Sequence, residues 1–86
     1  MLSDYNRSVL AEMTHAMQRL ERGESSLVDA QSSLSARGPL FENDGSGIRD
    51  LARSMTARIE DIADLDGEDG RDSAIECFAR FRREVE

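Results

Sequence analysis

Lysine and tryptophan are absent from this chain, cysteine, proline, histidine and tyrosine occur once each, and no long apolar run appears anywhere. Each absence removes a class of protein. With Cys77 alone, neither an internal disulfide nor a cysteine-based zinc site can form. Without an 18-residue apolar stretch, no membrane-spanning helix is expected. The opening residues MLSDYNRSVL lack a basic region followed by an apolar run, so no signal peptide is expected and a reducing cytoplasm is the default setting. The aromatics are only Tyr5, Phe41, Phe78 and Phe81, which leaves the core to Leu, Ile, Val, Met and Ala. Lysine's absence makes every base an arginine. Arginine suits forked, bidentate contacts, but codon bias in a GC-rich genome explains the usage more plainly.

What is present is acid. The net charge is −7, and it is localised. From Glu60 to Asp72 the chain reads EDIADLDGEDGRD, with seven acids against Arg71 alone; the remainder holds eleven acids and ten arginines. Localised charge is an argument about partners. A basic partner protein is favoured, whereas nucleic acid, which needs a cationic face, and anionic membranes are not.

The 86 residues make one helical domain, residues 1–86. So short a chain buries only about 60–65% of its extended surface, and a partner or a second copy can complete its thin core. Apolar spacing predicts helices throughout, and no segment alternates as a half-buried strand would. The first helix is predicted from about Ser3 to Arg22, with Val9, Met13, Ala16, Met17 and Leu20 on one face and Gly23 closing it. A second opens at Ser26-x-x-Asp29 and stops at Arg37-Gly38-Pro39, with Gly38 in a left-handed cap. Residues 38–47 form a loop whose Leu40 and Phe41 are expected to tuck onto the core. The third helix, capped by Ser46, carries the cleanest stripe: Ile48, Leu51, Ala52, Met55, Ile59 and Ile62. It fades at residues 64–67. The fourth runs from about Gly70 to Val85, with Asp69 as its cap. The expected fold is all-α, a small antiparallel bundle of three to four helices, with the third helix against the first and fourth.

Within the acidic stretch, Glu68, Asp69 and Asp72 fall where carboxylates suit the start of the fourth helix. Glu60, Asp61 and Asp64 fall in the last turns of the third, where the dipole prefers cations, with Arg58 as partial relief. Solubility accounts for such placement; a docking surface accounts for it as well. The candidate partner-binding residues are therefore Glu60, Asp61, Asp64, Asp66 and Glu68.

Other chemistries fail on spacing. A calcium loop starting at Asp64 has Asp66 and Glu68 in register, but its sixth position is Asp69 and its twelfth Ile75, each one place from the required Gly and Glu. The alternative NDGSG at 43–47 lacks acids at the required upstream positions, with Leu40 falling where the first ligand should be. His15 falls off the apolar stripe and has no nucleophile arrangement beside it, and Cys77 on a helix flank reads as a small hydrophobe. The acidic turn offers no contrast of environments to separate carboxylate pKa values. No enzyme, cofactor or metal is expected. Arg49, Arg53 and Arg58 on the third helix invite a helix-turn-helix reading, but Asp50, Glu60, Asp61 and Asp64 share its surface.

The segment LERGESSL at 20–27, followed by a short helix, a loop and the amphipathic third helix, resembles small helical proteins encoded beside bacterial toxins as immunity proteins. The resemblance covers about residues 15–65. It implies a helical inhibitor that neutralises a basic, nuclease-like toxin through an acidic surface. The paired tyrosines of the colicin-type immunity proteins are missing, so no functional residue carries over. The alternative is a homodimeric structural or regulatory module, or a subunit of a larger assembly, held by its apolar stripes. A phage inhibitor mimicking nucleic acid would space its acids evenly, whereas these concentrate in one segment.

Overall fold

A computed structural model describes residues 2–85. The chain is all-α: α1 is Asp4–Glu21, α2 Leu27–Arg37, α3 Ile48–Asp66 and α4 Arg71–Val85, with 3-10 turns at Gly38–Leu40 and Gly67–Gly70. Among the described residues there is no strand.

Local chemistry sets most of these ends. The Ser3 hydroxyl accepts the Asn6 N–H (3.1 Å) at the start of α1, and Asp4 adds a carboxylate to its first turn. The end of α1 is a Schellman closure: Gly23 donates to the Leu20 carbonyl and Glu24 to that of Arg19. Gly23 takes the left-handed φ of 76° that this motif requires. The Ser26 hydroxyl accepts the Asp29 N–H (3.1 Å) and opens α2.

Two expected caps turn out differently. Gly38 is right-handed (φ −50°) and continues from α2 into a 3-10 turn that has Pro39 among its first residues, where the missing N–H leaves no bond unmade. Neither its backbone nor its surroundings demand glycine: a Cβ there would meet the Thr56 methyl at 3.4 Å, an ordinary van der Waals contact. At α3 the cap position is Gly47, with a left-handed φ of 81°, while the Ser46 hydroxyl accepts the Ile48 N–H at 3.2 Å.

The apolar stripes converge on one core. Met13, Met17 and Leu20 come from α1, Leu27, Ala30 and Leu34 from α2, Ile48, Ala52, Met55 and Ile59 from α3, and Ala74, Phe78 and Phe81 from α4. The Phe78 and Phe81 rings meet with centroids 5.7 Å apart. Of the loop pair, Phe41 is buried but Leu40 is 47% exposed. Helix α3 packs principally on α4 and α2, and α1 on α2 and α4. The expected pairing of the third helix with the first therefore gives way to α2: sequential helices lie side by side, which sets α1 and α3 across the core from each other.

Candidate functional site

The last two turns of α3 present the acidic face. Each residue turns a helix by about 100°, so Glu60, Asp61, Asp64 and Leu65 fall on the side away from Ile48, Ala52, Met55 and Ile59. Glu60, Asp61, Asp64 and Asp66 are all exposed. Among the described residues, none of these four carboxylates has an ion-pair partner within 4 Å; the expected relief of Asp61 by Arg58 is not made. Between Asp64 and Asp66 stands Leu65, 84% exposed and the most exposed large hydrophobic residue among the described residues. Sequence reasoning missed it because it follows the apolar spacing loosely. The signal was there: a leucine between Asp64 and Asp66, beyond the last core position.

Glu68 belongs to a different arrangement. Its carboxylate accepts the Leu27 N–H, at 2.8 and 3.1 Å to its two oxygens. It thus satisfies a free amide of the first turn of α2, where the dipole favours an anion. Three residues on, Arg71 reaches the opposite kind of helix end. Its guanidinium donates to the Leu20 carbonyl (3.2 and 3.1 Å) and to the Glu21 carbonyl (2.7 Å) at the end of α1. Of the three acids expected to serve the start of α4, Asp72 does lie in its first turn, where the dipole favours an anion, whereas Glu68 and Asp69 lie in the preceding 3-10 turn and, among the described residues, none of the three makes a side-chain hydrogen bond to an α4 amide. The 3-10 turn runs straight into α4, with the Arg71 amide bonded to the Glu68 carbonyl. Asp72 is a surface carboxylate 3.6 Å from the Arg71 guanidinium.

At the other end of the molecule, the buried Asn6 side chain ties α1 to the loop before α3. It donates to the Glu42 carbonyl (2.9 Å) and to Asp44 (2.8 Å) and accepts the Glu42 N–H (2.9 Å). Asp44 also accepts from the Ser46 hydroxyl and amide and from the Ser3 N–H. These donors, led by the Ser46 hydroxyl, hold its carboxyl far below the usual carboxylate range.

Cys77 is half-buried between α3 and α4 near Arg58 and Arg80. Burial raises its thiol pKa, and the two guanidinium groups oppose that only in part. The thiol stays protonated at neutral pH, which suits a packing residue. His15 is exposed on α1. Among the described residues, no three His, Cys, Asp or Glu side chains are grouped to hold a metal ion. Among the described residues, no helix is long and apolar enough to cross a membrane. A groove of about 530 Å³ runs beside α3, lined by Pro39, Phe41, Arg49, Arg53, Thr56 and Glu60 among others.

Comparison with protein-family models, with curated proteins and with solved structures finds no match.

Proposed function

We propose that the protein is a non-enzymatic binding module, a small antiparallel bundle of four helices that acts in the cytoplasm and docks a basic partner protein through its acidic end. An immunity protein that neutralises a basic, nuclease-like toxin is the form of this reading that the sequence resemblance favours. One observation carries it: Leu65, 84% exposed, stands at the end of α3 with the exposed, unpaired carboxylates of Asp64 and Asp66 on either side of it in the chain, Asp61 one turn before, and Glu60 further round the helix. An apolar anchor inside a charged rim is the arrangement of an interface hot spot, in which the side chain supplies buried contact and the charges steer encounter. The Glu68 carboxylate is already engaged with the Leu27 N–H, so the docking set centres on α3.

The test is titration calorimetry against basic nuclease domains of bacterial toxins at two salt concentrations. A cognate pair binds, and high salt weakens it by slowing association. The triple variant E60Q/D61N/D64N and, separately, L65A each bind at least tenfold more weakly. Binding that ignores both salt and these substitutions defeats the reading.

A further inference from the structure

The outward face of α3 is self-complementary in charge, and we propose that it forms a two-fold symmetric, antiparallel contact with the same helix of a second copy of this chain. The inference goes beyond the acidic-end reading and does not depend on it.

Five exposed residues of α3 share one stripe: Arg49, Arg53, Ala57, Glu60 and Asp64. Their spacings of four, four, three and four keep them within about 80° of the helix circumference. The stripe lies on the side away from the core residues Ile48, Ala52 and Ile59. Both cations occupy its first half and both anions its second. None of the four charged side chains has an ion pair or side-chain hydrogen bond among the described residues. Two such helices laid antiparallel bring Arg49 opposite Asp64 of the second copy and Arg53 opposite its Glu60. Symmetry then repeats both pairs, so four opposite-charge pairs form along about 22 Å of helix. The dyad falls between Thr56 and Ala57, whose small side chains let two helix axes approach to about 8–10 Å. The groove beside this stripe, floored by Phe41 and edged by Pro39, gives the incoming helix a partly apolar shoulder. The half-exposed Leu40 adjoins it in the 3-10 turn that packs on α3.

The pattern selects its occupant. A uniformly basic partner meets repulsion at Arg49 and Arg53, and a uniformly acidic one meets it at Glu60 and Asp64. A second copy read in reverse satisfies both halves at once, and an isologous contact of this kind closes at two chains. Asp50 and Asp61 sit about 60–80° away from the stripe's midline and stay in solvent, as does Leu65 on the same flank. A single helix pair buries less than a standard interface and relies on exposed ion pairs, so the dimer is weak.

Charge exchange tests it. The variant R49E/R53E has an all-acidic stripe, and E60R/D64R an all-basic one. Sedimentation equilibrium of the wild type at up to about 1 mM is expected to show a reversible dimer. Each variant alone should associate at least tenfold more weakly, with unchanged helical circular dichroism. An equimolar mixture of the two should form a heterodimer at least as tightly as the wild type pairs with itself. A monomeric wild type at that concentration overturns the proposal, as does an R49E/R53E variant that dimerises normally or a mixture that does not associate. R49E/R53E leaves every acid of the docking end in place, so its effect on self-association is read separately from any effect on a basic partner.

Discussion

Glu68 caps the helix that begins at Leu27, across 41 residues of sequence, with both carboxylate oxygens within 3.1 Å of one amide. Three positions later Arg71 closes on the carbonyls of Leu20 and Glu21. The 3-10 turn and the first residue of α4 thereby hold the negative end of α1 and the positive end of α2 with side chains of opposite sign to each end. Replacing Glu68 with Ala removes an N-terminal cap and should cost about 1 kcal/mol. Glu68→Gln keeps an acceptor without the charge and should recover part of that loss. Urea denaturation of the three proteins measures it, and equal midpoints would show the contact to be idle.

Arg71 should be the less replaceable of the two. Its fork serves two carbonyls from one planar group, which a lysine ammonium cannot reproduce. Arg71→Lys is expected to lose about 1 kcal/mol and Arg71→Ala about 1.5–3 kcal/mol. Because both residues brace the same α1–α2 junction, the double variant E68A/R71A should fall short of the sum of the single losses in a double-mutant cycle.

Gly70 follows from close packing. A Cβ at this position would collide with the Ile62 side chain, with Asp66 Cβ at 3.1 Å and the Ile62 carbonyl at 3.2 Å. The turn sits directly on α3, so relief requires backbone movement. Gly70→Ala should destabilise by about 1–3 kcal/mol. Gly45→Ser is a control without steric demand: nothing lies within 4 Å, and only its left-handed backbone resists substitution.

Asp44 makes part of the stability pH-dependent. Its folded pKa is depressed by the Ser46, Ser3 and Asn6 donors, whereas the unfolded value is about 3.9. The contribution is complete above the unfolded value and declines as pH falls from about 5, because the unfolded chain then takes up the proton first. Asp44→Asn should be less stable than wild type at pH 7, and the gap between their urea midpoints should narrow at pH 3. A gap independent of pH would assign the effect to shape instead of charge.

Leu65 separates binding from folding. At 84% exposure it has little to lose, so Leu65→Ala should leave the unfolding midpoint within about 0.5 kcal/mol of wild type. The same substitution is the one expected to weaken docking of a basic partner. A large loss of stability would mean that Leu65 works for the fold.

The sequence by itself determined the helices and most of their ends. Apolar spacing over Val9–Leu20, Ile48–Ile62 and Ala74–Val85, together with the Ser3, Ser26 and Gly23 signals, rests on interactions within a few residues, and those are readable along the chain. The acidic stretch was legible as charge but not as structure. Only the tertiary fold assigned Glu68 to Leu27 and Arg71 to Leu20 while leaving Glu60, Asp61 and Asp64 free. It likewise buried Phe41 and exposed Leu40, and it gave Asn6 the backbone of Glu42 as a partner. A carboxylate or an amide satisfies any suitable helix end or open backbone group that comes within about 3 Å, and which one comes that close depends on how the helices pack.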